Sequence, residues 1–403
     1  MKLAQRMSRL GTETAFEVLA KAQQLETKGR HIIHLEIGEP DFDTPTNIVA
    51  AGKQALSDGF TSYNPSPGYD DLKESIAKDI SKSRNISVKK ENVIVTPGGK
   101  PIMFFIMLAM IESGDEVLYP NPGFPIYESM IEFCGGTAVP VRLGEENSFN
   151  LNIKEVETQI SKKTKLLIVN SPNNPCGSVV DKKDLEALSK LAKENDITVL
   201  SDEIYSRFLY EGTHHSIASF PDMIDRTIIL DGYSKTYAMT GWRIGYGIFP
   251  DNLVEPISRL VTNSVSCTAS FTQRAAIEAT EGPQEDSILM VEEFKKRRSI
   301  VVDGLNKIDG ITCAVPKGAF YAFPNIEGTG MTSSEFANRV LEEAGVAVLA
   351  GESFGVYGTG YIRISFANSA ENLIQAIDRI RKFVETKTKI STDYSRIASV
   401  YFI

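Results

Sequence analysis

The sequence predicts an α/β protein in which a large domain carries a mostly parallel sheet flanked by helices, and a smaller α+β domain is built from both chain ends. Three observations lead there. The chain has 403 residues, beyond what one hydrophobic core usually supports. From residue 93 to residue 235, short β-branched runs end in a turn signal and give way to helical periodicity. After about residue 285 that alternation stops, and charged helices are separated by short strands.

The runs of the large domain are VIVTPGG (93–99), EVLYPNPG (116–123), KLLIVNSPNNP (165–175), ITVLSDE (197–203) and TIILDGYSK (227–235). In open α/β sheets a ligand lies beyond the carboxyl ends of the strands, so the polar residues closing these runs are candidates: Gly99, Asn170, Asn174, Asp202 and Lys235. The second unit reads as a helix over EDSILMVEEFKKRRSIVVDGL, strands at ITCAV and GAFYAFP, a helix near 332–344, a strand YIRISFA and a last helix near 370–386. The N-terminal segment is expected to pack against it. This gives a large domain of 46–285 and a small discontinuous domain of 1–45 with 286–403. The tail 387–403 ends in an apolar cluster; docking on the body or on a partner subunit, and a loosely ordered end, all fit.

Composition narrows the function. Hydrophobic residues make up 42% and charged ones 24%, and the longest apolar run, Ile102 to Ile111, is about half of what spans a bilayer, so no membrane partner is expected. A net charge of −9 without a basic stripe disfavours nucleic acid. The first residues lack the apolar core of a secretory signal, which makes the cytoplasm the expected location. Cys134, Cys176, Cys267 and Cys313 lie far apart with no CxxC pair and no neighbouring histidine, so neither a metal site nor a disulfide framework is expected.

Lys235 sits in DGYSKTYAMTGWRIGY (231–246) among hydroxyl and aromatic side chains. A lysine buried there is either paired or shifted toward a neutral, nucleophilic amine able to form a Schiff base; an exposed loop is the commoner fate of a lysine. Asp202 ends ITVLS and has Tyr205 three residues on. That suits an anion held against a protonated ring nitrogen beside a phenol, and equally a helix cap. In TPGGK (96–100) two glycines ahead of the helix PIMFFIMLAMI let backbone amides approach a phosphate, with Arg243 as countercharge. An ordinary turn and a surface ion pair are the plainer readings. NSPNNPCG (170–177) holds Asn174 in a turn where its amide can donate and accept. In YIRISFA, alternation puts Tyr361, Arg363 and Ser365 on one face and Ile362 and Ile364 on the other, toward a core. Arg363 is then either a rigid fork for a carboxylate or part of a solvated strand face.

In order along the chain, GEPDFDTP (38–45), Tyr63 in TSYNPSPGYDDLK, TPGGK, YPNPGFP, NSPNNPCG, SDEIY, SKTYAMTGWRIGY and YIRIS resemble the class I aminotransferases of the aspartate aminotransferase superfamily. Those are pyridoxal 5′-phosphate enzymes of fold type I, and the likeness runs from about residue 10 to residue 385. The resemblance implies that Lys235 forms a Schiff base with the cofactor and then carries the proton between Cα and C4′. It implies Asp202 as partner of the ring nitrogen, Asn174 and Tyr205 on the ring hydroxyl, and Phe124 stacked on the ring. For the phosphate it implies the amides of Gly99 and Lys100, the Ser234 hydroxyl, Arg243, and Tyr63 reaching from the other subunit, hence a homodimer with shared active sites. Arg363 is implied as the clamp on the substrate α-carboxylate, assisted by Asn174 and the backbone at Gly38.

Two positions depart from the pattern. Gly232 stands where many members carry a serine on the phosphate, and Cys176 replaces a common threonine. Lys100 matches a lysine that in one subgroup reads the distal carboxylate of acidic substrates. The implied function is transfer of an amino group from an L-amino acid, aspartate or glutamate favoured, to a 2-oxo acid such as 2-oxoglutarate by a ping-pong Schiff-base mechanism. TETAFEV (12–18) does not reproduce the Ser/Thr pattern expected beside such a lysine, so aromatic and aliphatic donors stay open. So does a carbon–sulfur β-lyase, which would use the same residues. A non-catalytic sensor module is expected less, because such modules place a DNA-binding domain before the homologous region.

Overall fold

A computed structural model describes residues 1–400, with side chains through residue 386. In chain order its strands are β1 (Ile33–His34), β2 (Val93–Thr96), β3 (Glu116–Asn121), β4 (Thr137–Arg142), β5 (Thr164–Asn170), β6 (Thr198–Asp202), β7 (Thr227–Gly232), β8 (Gly245–Ile248), β9 (Tyr321–Ala322), β10 (Val346–Ala347), β11 (Leu349–Ala350) and β12 (Ile362–Ser365). Seven of them form one sheet in the order β2-β8-β7-β6-β5-β3-β4. The five strands from β4 to β7 in that sheet run parallel, while β8 is antiparallel to both its neighbours.

Side-chain alternation explains why both faces are covered. Leu166, Ile168, Leu200, Ile228 and Leu230 meet the helices Lys100–Met110 and Ile126–Cys134 on one face. Leu167, Val169, Val199 and Ile229 meet Lys182–Glu194 and Asp70–Arg84 on the other. The register sets Asn170 opposite Asp202, and Asp202 opposite Leu230, so the polar strand ends fall along one edge.

Strand β8 is missing from the sequence reading, because GYGI has two glycines, which strands normally disfavour. Here the missing side chains are required. A Cβ on Gly245 would lie 2.7 Å from the amide nitrogen of Gly99, and one on Gly247 would lie 2.5 Å from the Phe249 ring.

Beyond the sheet, β1 pairs in parallel with β10, and β11-β12-β9 form an antiparallel trio. An aromatic core of Phe208, Phe294, Phe320 and Phe366 packs there, with the Phe294 and Phe320 rings stacked at 5.2 Å. The expected ITCAV strand does not form: Thr312 makes only an isolated bridge with Asn325. The Asn306 side chain accepts from Cys313 N–H at 2.8 Å and donates to its carbonyl at 3.0 Å, satisfying backbone groups that a ladder would have used. The helix expected near 332–344 is α-helical over Ser333–Arg339 and continues as a π-turn over Val340–Ala344. The last helix runs over Ala370–Val400, past its expected end; docking of the tail falls on side chains outside the described residues.

A charged cluster lies buried behind the strand ends. Arg84 Nε donates to Glu203 at 2.8 Å, and its Nη2 donates to Asp231 at 2.7 Å and to Ser206 at 2.8 Å. Burial works against the Glu203 carboxylate, yet His214 and Arg84 hold it well below the usual carboxylate range. Arg84→Met removes the cation hydrogen-bonded to Asp231 and leaves Glu203 with His214, and it should cost about 3–5 kcal/mol of stability, read from the urea midpoint.

Candidate active site

The side chains at the strand ends converge on one cavity of about 920 Å³. Gly38, Gly99, Lys100, Phe124, Asn174, Asp202, Tyr205, Ser234, Lys235, Arg243 and Arg363 all line it. Tyr63 does not; its side chain is 87% exposed on the surface of the subunit.

Asp202 closes β6 and is buried. One oxygen accepts from the Tyr127 hydroxyl at 2.5 Å and the other from Ile204 N–H at 3.3 Å, so the turn-capping role coexists with a carboxylate presented to the cavity. Burial pushes its pKa up to about 6, against the pull of the Tyr127 hydrogen bond. Such a group gains strongly from a cation placed beside it.

Lys235 lies in the turn after β7, where Ser234 O accepts from Met239 N–H at 3.1 Å. Its Nζ donates to the Gly38 carbonyl at 2.5 Å and lies 5.8 Å and 6.0 Å from the Phe320 and Tyr205 ring centroids. Burial lowers its pKa to about 8, with Glu39 opposing and Arg363 adding to the depression. The exposed-loop reading of this lysine does not hold.

Arg363 comes from β12, all four residues of which are buried, so the solvated strand face does not hold either. Tyr321 and Phe354 cover the guanidinium at 4.5 Å and 4.9 Å from their ring centroids. Its Nη1 donates to Asn174 Oδ1 at 3.1 Å and its Nη2 to the Glu36 carbonyl at 2.5 Å, while Nε is buried without a hydrogen-bond partner. Asn174 is itself held by the turn after β5, where its N–H donates to Asn170 Oδ1 at 2.9 Å.

At the opposite corner, Gly99 caps the helix Lys100–Met110, whose first amides have no carbonyl one turn back. Gly98 adopts φ +87°, and a Cβ there would lie 2.4 Å from the Arg243 guanidinium. Arg243 donates to the carbonyls of Thr240 at 2.9 Å and Pro97 at 3.4 Å rather than forming the surface ion pair considered from sequence. Gly232 pairs with Gly245 across β7 and β8, and a Cβ on it would sit 3.0 Å from the Gly245 Cα. That contact gives the departure at Gly232 a physical reason.

Three residues were missed from sequence. Tyr127 follows Phe124 by one turn and holds Asp202. The Tyr321 hydroxyl lies 2.7 Å from that of Tyr205, and a Cβ on Gly38 would come within 2.2 Å of it. Glu13 forms an ion pair with Lys100 at the cavity wall. A signal existed for the first two, in NPGFPIY and GAFYAFP, but it is no stronger than that of any aromatic beside a turn.

Residues 30–380 match the family model for aminotransferase class I and II. The chain belongs to the class I and II aminotransferases. It is similar to an aspartate aminotransferase of Pyrococcus abyssi, with 43% identity over 89% of this chain and 93% of that protein. It is also similar to aromatic-amino-acid aminotransferase 2 of Thermococcus litoralis, with 39% identity over 96% of this chain and 99% of that one. Among solved structures, an aspartate aminotransferase from Thermus thermophilus with maleate superimposes with a TM-score of 0.91 at 36% identity, covering 95% of this chain and 99% of that chain.

This aminotransferase uses pyridoxal 5′-phosphate. The donor set fits that group: a buried carboxylate, an amine of lowered pKa, and a glycine-lined cradle beside a guanidinium surround one cavity. No helix among the described residues is long and apolar enough to cross a membrane.

The buried amine carries a stability signature. Below about pH 8 Lys235 is protonated both folded and unfolded, so the full burial penalty applies. Between about 8 and 10.5 the unfolded chain holds the extra proton, and raising pH stabilises the fold until the penalty is gone. Lys235→Met should therefore stabilise the cofactor-free protein at neutral pH by about 1–3 kcal/mol, with the gain shrinking through that window in urea unfolding at stepped pH.

Proposed function

We propose that this aminotransferase moves the amino group of an L-amino acid, aspartate or glutamate favoured, to a 2-oxo acid such as 2-oxoglutarate in two half-reactions that share one site. The observation that carries the reading is a lysine of lowered pKa and a buried arginine with an unpartnered Nε on the wall of one cavity. Such an arginine is a prepared fork for a carboxylate, with its orientation fixed before the substrate arrives.

When bound, pyridoxal 5′-phosphate supplies an aldehyde that takes up the amino group and a ring that disperses negative charge from Cα. Lys235 holds the cofactor and moves the proton at Cα, since an amine with a pKa of about 8 is neutral often enough near neutrality to act as base. Asp202, fixed by Tyr127, would keep the ring nitrogen protonated, and Tyr205 with Asn174 would hold the ring hydroxyl. Phe124, on the cavity wall, would lie against the ring. The amides of Gly99 and Lys100, the Ser234 hydroxyl and Arg243 would hold the phosphate, joined by Tyr63 of the partner subunit. Arg363, Asn174 and the backbone at Gly38 hold the substrate α-carboxylate.

The same reading makes the enzyme a homodimer of the cytoplasm, with a large domain of 46–285 and a small one of 1–45 with 286–403. The exposure of Tyr63 supports the first, and the pairing of Ile33 with Val346 supports the joining of both chain ends. The aspartate aminotransferase of Pyrococcus abyssi and the Lys100 ammonium support acidic donors. The aromatic relative from Thermococcus litoralis and the ion pair of Lys100 with Glu13 favour uncharged donors as a second class.

Mixing the purified protein with each amino acid in turn and following loss of the cofactor absorbance tests the reading. Aspartate and glutamate should react fastest, and Lys235→Ala should abolish turnover; turnover at the parent rate in that variant would sink the mechanism. Arg363→Lys should lower kcat/KM by on the order of a hundredfold for all donors alike, because the α-carboxylate is common to them.

A further inference from the structure

Glu13 is the residue before the helix Thr14–Glu26 and stands in extended backbone, and its side chain makes no hydrogen bond to the first turn. Its carboxylate is instead paired with the Lys100 ammonium across the cavity wall, with side-chain exposures of 16% for Glu13 and 46% for Lys100. The same ammonium lies 5.6 Å from the Phe124 ring centroid. The Glu13 charge thus faces the cavity, and its field also reaches Lys235 and Arg363.

We propose that Glu13 tempers the preference for acidic donors and admits uncharged ones: its carboxylate occupies Lys100 where a donor's distal carboxylate would bind, so uncharged side chains meet a neutral pair and acidic donors must displace Glu13. The proposal rests on the reading of Lys100 as the contact for that distal group.

The argument is one of competing desolvation. An uncharged side chain laid against a bare, half-buried ammonium strips water from it and returns nothing. Against the Glu13–Lys100 pair the same side chain meets little net charge, and the apolar Phe16, Leu19 and Met103 line the cavity with it. An acidic donor brings a second carboxylate to one ammonium, and two like charges in that corner repel. Glu13 has a way out. It holds no cap, retains partial exposure and stands on the extended segment leading into its helix, so rotation of its side chain returns the carboxylate to water. Selection between donor classes is then an exchange at Lys100, and acidic donors lose affinity to it.

The test uses the cofactor-loaded enzyme and three readings: kcat/KM for aspartate, kcat/KM for phenylalanine, and Kd for succinate from its effect on cofactor absorbance. Glu13→Gln keeps the side-chain shape and removes the charge. It should raise kcat/KM for aspartate about tenfold, tighten succinate by a similar factor, and lower kcat/KM for phenylalanine. An unchanged or lower value for aspartate, with succinate no tighter, would overturn the role of Glu13. Lys100→Ala separates this from the underlying reading. Selective loss of aspartate in Lys100→Ala upholds Lys100 as the distal contact whatever Glu13→Gln does. An unchanged ratio of aspartate to phenylalanine in Lys100→Ala overturns that reading, and the proposal with it.

Discussion

Keeping an amine in a cavity it shares with a guanidinium is unfavourable, and much of the fold serves to hold Lys235 there regardless. Nothing in the turn itself would keep the side chain from swinging to water. The start of the turn is fixed from behind: Arg84 and Ser206 both reach Asp231, whose second oxygen accepts from Gly232 N–H at 2.7 Å. On the cavity side the Gly38 carbonyl receives the amine, and the Tyr205 and Phe320 rings exclude water beside it. Asp231 and Lys235 thus form two ends of one rigid segment, one clamped in the core and the other strained electrostatically toward reactivity.

The cavity wall is assembled from parts of the chain that fold into different cores. The sheet supplies Asp202 and the turn of Asn174, whereas Arg363 arrives on β12, which pairs with β9 and β11. The segment after β1 joins them: Leu35 O accepts from Ser365 N–H at 2.8 Å, and Glu36 O accepts from Arg363. Because the guanidinium binds Asn174 on one side and Glu36 on the other, its position reports the fit between those cores. A displacement of either core would reach the fork directly.

The strand-end residues were legible in sequence because each closes a run of apolar side chains, and that rule depends only on local pattern. That pattern marked Gly99, Asn170, Asn174, Asp202 and Lys235 as candidates, while a turn, a helix cap or an exposed loop stayed open for each until the motifs were taken together in order. Strand β8 was hidden by its glycines, whose value appears only when the neighbouring turn at Gly98 and Gly99 is in place. Arg363 was legible as a strand residue but not as a buried one, since its cover comes from Tyr321 and Phe354, which belong to other segments. Tyr321 meets Tyr205 across 116 residues of chain, and no local pattern reports such a pairing. Glu13 was visible only as a break in an expected Ser/Thr pattern; its partner had to be seen in space.

The facing of Gly232 and Gly245 restricts the order in which this site can change. A side chain at residue 232 has first to find room against the backbone of β8, and β8 is itself pressed against the turn that carries Gly98 and Gly99. Placing a side chain at that position is therefore a concerted alteration of two strands and a loop rather than a change at one residue, because the space it needs is set by β8 and by the turn behind it.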